Sequence, residues 1–421
     1  MKIGIFSGAI GFGGSQNTTA GIALGLARRG HAITLYIDRN RFRSFERIND
    51  LEVVDMPWHL YSSPVWSYFS IRNAIHAIRQ VRKNRCDVML CVGPGHAPTA
   101  MLISAIYKIP CIYYALFPSM ILESRILRFR GITVANSEET RDSRAKFLKT
   151  SPENIPVVRA RINLDMFSTK TSSTEKANGN GPISAVIMSR LEPKKSEGVL
   201  LTMESIFRLN KTGKRISLDV IGDGKNMPGI RAKADSINAD LGSTVITLQG
   251  AVRSVQNELP KYDIALGIGR CAWEAMACGI PTVVVGEEGL GGIVCPENLE
   301  QLMRHNFTAR GNSGKQDVEE LADALEALID NAGYRRKLGD FALDVIRKHY
   351  DVKVGVQQFE QIMQDSYTDA SEQCPRLGPS LLLELAALKI YQIIRCMVMW
   401  ILHPYNSARA LHSLRSQTEQ S

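Results

Sequence analysis

The run Tyr262-Asp-Ile-Ala-Leu266-Gly267-Ile-Gly269-Arg270-Cys-Ala-Trp-Glu274-Ala-Met-Ala-Cys-Gly279-Ile-Pro281 decides the fold. Ile264 to Leu266 is an apolar stretch of strand length that ends in a glycine loop. Ala272 to Cys278 has the composition of a short helix, and Gly279 stops it, as glycine does at a left-handed helix end. Pro281 then opens a second apolar strand, Thr282 to Val285. Strand, glycine loop, helix and strand form the unit of a parallel sheet covered by helices, whose buried strands are nearly continuous apolar runs.

The same pattern runs outward in both directions. Lys2 to Phe6 reads as a strand, Gln16 to Arg29 as a helix stopped by Gly30, and Ala32 to Ile37 as the next strand. Asp87 to Val92, Pro110 to Ala115 and Gly131 to Asn136 read as further strands, with a helix over Thr99 to Tyr107. Ser168 to Pro182 has linker composition. The rhythm then restarts with a strand at Ile183 to Met188, a helix over Gly198 to Asn210, and strands at Ser217 to Ile221 and Thr244 to Leu248. A chain of 421 residues is also too long for one core. The expectation is an α/β protein of two facing Rossmann-like domains with parallel sheets and a C-terminal helical extension. The domains are expected at 1–167 and 183–347, joined by a linker at 168–182. A helix at 348–370 is expected to cross back to the first domain, and a helical tail to occupy 371–421.

With 51 basic and 42 acidic residues the net charge is +9, which suits a phosphate-bearing ligand or an anionic membrane surface. No zinc finger or RNA-binding motif accompanies it, so no nucleic-acid partner is expected. The eight cysteines include no C-x-x-C pair, so they read as buried thiols and no metal is expected. Met1-Lys2-Ile-Gly-Ile-Phe6 is too short and glycine-broken for a signal peptide. A place in the cytoplasm, or on the cytoplasmic face of the inner membrane, is therefore expected.

Three loops carry candidate chemistry. Gly8-Ala-Ile-Gly11-Phe-Gly13-Gly14-Ser15 lacks the G-x-G-x-x-G spacing of a dinucleotide fold, which speaks against an oxidoreductase. Gly13 and Gly14 would let backbone amides approach a diphosphate, with Ser15 as helix cap; a plain tight turn is the other reading. In Ser189-Arg190-Leu-Glu-Pro-Lys-Lys195-Ser-Glu-Gly198, Arg190 and Lys195 could clamp a leaving diphosphate, or simply be solvated bases. In the third loop, Glu274 is expected in the first turn of its helix. There it accepts the paired hydroxyls of a ribose or merely answers the helix dipole. Gly267, Gly269 and Arg270 would line the same nucleoside and sugar site.

At these residues the chain resembles the retaining GT-B glycosyltransferases of family 4, as a divergent member. The resemblance runs over roughly residues 1–366. It rests on the Gly13-Gly14 loop, Val134-Ala-Asn-Ser-Glu138, Ile162-Asn-Leu-Asp-Met-Phe167, Arg190 with Lys195, Gly222-Asp-Gly224 and Glu274-Ala-Met-Ala-Cys-Gly279-Ile-Pro281. It implies a nucleotide-diphosphate sugar as substrate, retention of configuration and no cofactor. It puts Arg190 and Lys195 on the diphosphate and Glu274 on the ribose. Two positions depart. Leu266 stands where the family has a second glutamate on the donor sugar, and Leu116 where it often has a histidine. His96, in Gly93-Pro-Gly95-His96, is the nearest candidate for a catalytic histidine, and reads equally as a capping or solvated one. The expected activity is transfer of a sugar to a cell-surface glycan or lipid-linked acceptor, as in polysaccharide or lipopolysaccharide biosynthesis. A non-catalytic GT-B partner subunit and, more weakly, a sugar-nucleotide epimerase are the alternatives.

Two further stretches bear on partners. In Leu381 to Leu402, Glu384, Lys389, Gln392 and Arg395 fall on one helical arc, opposite Ala386, Ile390, Ile393, Ile394, Met397 and Ile401. Such a helix either lies in a membrane interface or packs on the protein body or a second subunit. Trp58, Trp66, Tyr68 and Phe69 lie between Arg39 to Arg47 and Arg72 to Arg85. They would grip a lipid-linked acceptor, or be buried aromatics beside solvated bases.

Overall fold

A computed structural model describes residues 1–7, 14–37, 51–56, 71–93, 96–118, 129–160, 162–169, 182–310, 317–369, 374–375 and 377–402, with the backbone alone at 14–15 and 395–402. The chain forms two compact units. The first comprises Met1–Asn136, Thr140–Val158 and Val356–Ser421; the second comprises Ser137–Glu139 and Arg159–Gly355.

The first unit runs β1 (Lys2–Ser7), α1 (Gly14–Arg28), β2 (Ala32–Ile37), β3 (Glu52–Asp55), α2 (Ile71–Lys83), β4 (Val88–Val92), α3 (Ala97–Tyr107), β5 (Cys111–Ala115), β6 (Ile132–Ala135) and α4 (Glu138–Leu148). Its six strands are ordered β3-β2-β1-β4-β5-β6 and pair in parallel. The central strands β4 and β5 are buried throughout, as their unbroken apolar text requires, whereas the edge strand β3 is short and half-exposed.

The second unit runs β7 (Ile183–Met188), α5 (Ser196–Lys211), β8 (Ile216–Ile221), α6 (Met227–Leu241), β9 (Ile246–Gly250), β10 (Ile264–Gly267), α7 (Arg270–Ala277), β11 (Thr282–Gly286), β12 (Gly289–Ile293), α8 (Val318–Asp330) and α9 (Ala332–His349). The order is β12-β11-β10-β7-β8-β9, parallel except for β12, which turns back antiparallel on β11. In both units the strand order reverses beside the first strand: between β1 and β4, and between β7 and β10. A ligand crevice in an open α/β sheet lies at the carboxyl ends flanking such a reversal.

Helix α10 (Val352–Thr368) carries the chain back into the first unit from Val356 onward. There Val356 packs so close to Gly25 that a Cβ on the glycine would lie 2.6 Å from its methyl. Phe359 meets Tyr114 edge-on at 5.0 Å, and Glu360 pairs with both Arg29 and His31. The final helix, α11 (Pro379–Leu402), packs on the first unit. Leu381, Leu385 and Leu388 pack with Ala74, Met101 and Ala105, and Glu384 accepts two hydrogen bonds from Arg130. The packed face therefore includes Glu384 and the buried Gln392 of the polar arc, while Leu382, Leu383, Ile390, Ile393 and Ile394 stand exposed. Of the two readings of this segment, its first turns take packing on the protein body. Among the described residues, no helix is long and apolar enough to cross a membrane. The aromatics at 58–69 and the bases at 39–47 lie outside the described residues; Arg72, Arg79, Arg82 and Lys83 are exposed on α2.

Candidate active site

The strand reversal of the second unit gathers most of the residues singled out in the sequence. β7 ends at Met188, and the loop to α5 is fixed by Leu191, which is fully buried. Leu191 donates its amide to Asp223 O at 3.0 Å and accepts at its carbonyl from Asn226 N at 2.8 Å. Gly222 and Gly224 make this approach possible: a Cβ on Gly222 would lie 1.8 Å from Ser189 O, and one on Gly224 2.6 Å from the Leu191 carbonyl. Gly222-Asp-Gly224 is thus a packing motif that holds the cationic loop. Arg190 is exposed on that loop, and Lys195 sits half-buried at the start of α5.

From β10 to α7 the connection is only Ile268–Gly269. Gly269 takes φ +53 and ψ −121, a conformation open to glycine and to few other residues, and donates its N–H to Phe307 O at 2.7 Å. Because α7 begins at Arg270, Glu274 lies in its second turn, not the first as expected. The helix-dipole reading of Glu274 weakens accordingly, since that effect is concentrated in the terminal turn. Arg270 Nε donates to Glu274 Oε1 at 2.7 Å, one helical turn apart. Trp273 anchors the inner face of α7, stacked on Tyr350 at 5.0 Å and edge-on to Phe307 at 6.3 Å. Gly279, at φ +71, ends the helix with hydrogen bonds back to Met276 and from Ile280 to Ala275.

Cys271 is where the charges of both loops meet. Burial pushes its thiol up to about 12; Glu274 raises it further, while Arg270, Lys195 and Arg190 oppose the rise. Charges from both loops therefore reach the Cys271 thiol.

Leu266 changes meaning. Its side chain lies inside the core with Ile187, Val283 and Leu325, and is 1% exposed. Position 266 is a strand residue facing inward, not a site position with the wrong side chain. The connection that follows it to α7 is two residues long. A residue that the sequence reading missed is Glu287, which follows β11 directly. Its Oε1 lies 3.8 Å from Lys195 Nζ. The available signal was its place: an acidic pair, Glu287-Glu288, at the carboxyl end of a buried parallel strand.

The reversal of the first unit is built differently. Gly13 lies outside the described residues; Gly14 opens α1, so Ser15 is inside the helix and does not cap it. His96 occupies the N-cap position of α3 without a capping hydrogen bond from its side chain, and is 1% exposed. The solvated and capping readings of His96 both fall. Burial pulls its pKa down to about 3, so the imidazole is neutral at physiological pH and a weak base. Leu116 is buried, and its carbonyl accepts from Asn136 Nδ2 at 2.8 Å.

Comparison with known proteins agrees with this fold. Residues 12–165 match the family described as Glycosyltransferase Family 4, and residues 183–331 that described as Glycosyl transferases group 1. A D-inositol 3-phosphate glycosyltransferase of Nocardioides sp. is 24% identical over 252 residues, 53% of this chain and 52% of that protein. The chain thus spans about half to three-fifths of the curated relatives it matches. Among solved structures, a glycosyltransferase from Rickettsia africae shares 15% identity with a TM-score of 0.67, covering 88% of this chain and 98% of that one. An Anabaena protein solved in complex with UDP shares 16% identity with a TM-score of 0.64, covering 87% and 100%. At these identities the structural likeness is one of fold. With two matched families lying one on each doubly wound half, the chain belongs, as a divergent member, to the family-4-type glycosyltransferases of GT-B fold.

Proposed function

We propose that this protein transfers a sugar from a nucleoside diphosphate donor to an acceptor hydroxyl. The observation that carries the reading is the convergence of Arg190, Lys195, Arg270 and Glu274 around Cys271, at the reversal between β7 and β10. Arg190 and Lys195 stabilise the charge that grows on the departing diphosphate. Glu274 keeps acceptor capacity beyond its bond to Arg270, because a carboxylate offers about four lone-pair sites, and it takes the ribose hydroxyls. The acceptor attacks on the face the diphosphate leaves, with retention, and the leaving phosphate takes its proton. His96, depressed to about 3, is not the base of this scheme; as a neutral imidazole it serves as a hydrogen-bonding group.

Two acceptor classes are in play. The curated relative is named for D-inositol 3-phosphate, a small soluble acceptor. A glycan or lipid-linked acceptor is favoured by the exposed Leu382, Leu383, Ile390, Ile393 and Ile394 of α11, together with the exposed bases of α2. These groups suit peripheral contact with an anionic bilayer, on the cytoplasmic face of the inner membrane. The core position of Leu266 and the lack of an acidic side chain on the two-residue β10–α7 turn favour a second reading, a non-catalytic GT-B subunit. A thermal-shift screen of nucleoside diphosphates and nucleotide sugars tests the donor site. Diphosphate release with inositol phosphate or lipid-linked glycan then separates the acceptors. Stabilisation by a nucleotide without release under any acceptor would make the chain a binding subunit. No sedimentation with anionic vesicles at any salt would end the membrane contact.

A further inference from the structure

We propose that Glu287 reads the sugar end of the donor. It accepts a sugar hydroxyl and, through its charge beside Lys195, turns the site against the free nucleoside diphosphate. This rests on the nucleotide-sugar reading above and adds the residue that separates donor from product.

Placement comes first. Glu287 follows the last residue of β11, the strand that neighbours β10. Gly286 is wedged between the two loops of the clamp. A Cβ on Gly198 would lie 2.6 Å from Gly286 Cα, and one on Gly286 2.7 Å from Ile268 Cγ2. The absence of side chains at 198 and 286 brings the start of α5, the β10–α7 turn and Glu287 into one place.

The pairing comes next. At 3.8 Å the Glu287–Lys195 pair is within ionic reach but too long for a hydrogen bond. Both side chains are part-exposed, so a ligand can engage either one. The surroundings leave a role open. The β10–α7 turn, Ile268–Gly269, carries no acidic side chain, and Leu266 points into the core. Glu274 is already held by Arg270 on the nucleoside side of the clamp.

The chemistry follows from charge. In a nucleotide sugar each phosphate carries one negative charge. Once the sugar is gone, the terminal phosphate gains most of a second charge at neutral pH, as a phosphate monoester does. A carboxylate beside the lysine that holds that phosphate repels the product more than the donor. Sugar hydroxyls, in contrast, donate to a carboxylate in charge-assisted hydrogen bonds. One side chain thus favours the ester over the free diphosphate by both attraction and repulsion.

The test is calorimetric titration of the full chain with UDP and UDP-glucose, and with GDP and GDP-mannose. It uses the unmodified protein, Glu287→Ala and Glu287→Gln. For the pair that binds, Glu287→Ala should weaken the sugar ester about tenfold, the loss expected of one hydrogen bond to a charged group, while the free diphosphate tightens. Glu287→Gln, which keeps the acceptor oxygen but not the charge, should tighten the diphosphate and leave the ester within a few-fold. Equal changes for both ligands would mean that Glu287 only props Lys195, and would overturn the proposal while leaving the nucleotide site standing. Failure of the unmodified chain to bind any of the four ligands would overturn the nucleotide reading itself, and this proposal with it.

Discussion

The two strand reversals share a topology and differ in chemistry. In the second unit the crevice is lined by exposed or half-exposed charges, Arg190, Lys195, Arg270, Glu274 and Glu287, on or beside short turns that glycines pull tight. In the first unit the loop after β1 lies outside the described residues, and among those described past β4 is the buried, neutral His96. The sheet sets where a ligand can bind, and the loop text sets which charge it meets. The charged crevice suits a leaving group that gains negative charge.

The sharpest way to break this comparison is Leu266→Glu. If position 266 lined the charged crevice, a glutamate there would be tolerated and would restore the family's second carboxylate. Since Leu266 lies in the core with Ile187 and Leu325, the substitution buries an uncompensated carboxylate. It should cost about 3 kcal/mol or more. Urea unfolding reads the loss directly, and an unchanged midpoint would put residue 266 back at the site.

Next in size is Lys195→Ala. Removing one charge from a group that stabilises a leaving diphosphate should lower turnover roughly a hundredfold. Lys195 is part-exposed, so stability should move by no more than about 0.5 kcal/mol. Turnover that survives unchanged would leave the second crevice charged but idle, and would favour a binding subunit.

The same contrast governs what could be read in the sequence. Inner strands were legible to within a residue: β2 and β7 have the bounds that their apolar runs predict, and β1, β4 and β10 differ by one. Two of the four edge strands were not legible at all. β3 is four residues framed by Glu52 and Asp55, and β12 is mostly glycine, so neither carries an apolar run. Cations at strand ends were legible because position and charge suffice to propose a phosphate clamp. Counting back eight residues from Glu274 reaches Leu266, but spacing along the chain does not reveal that this residue lies within β10 with its side chain in the core. Glu287 went unseen because no motif contains it, only a close approach of Gly198 to Gly286 that appears once the chain is folded.

The buried histidine of the first unit has its own signature in pH. His96 titrates at about 3 in the folded protein against an ordinary 6.5. Below pH 6.5 the unfolded chain takes up a proton that the folded one refuses, so stability falls as pH drops from 6.5 towards 3 and is unaffected above. At pH 5 the loss from this group should be about 2 kcal/mol. Comparing urea midpoints of the unmodified protein and His96→Gln at pH 7 and pH 5 isolates it. The variant should lose less between the two, and parallel losses would place His96 in water.

The smallest expected effect on the fold is also the most informative about the charged crevice. Arg270 opens α7, where a cation is disfavoured by the helix dipole, and this offsets its one-turn pair with Glu274. Arg270→Ala should therefore change stability by no more than about 0.5 kcal/mol. If Arg270 faces the donor, the role proposed for Arg190 and Lys195, nucleotide affinity should still fall several-fold, and the fall should shrink with salt as a phosphate contact does. If it serves only to hold Glu274, affinity should fall by the same factor at every ionic strength, and the clamp would consist of the β7–α5 loop alone.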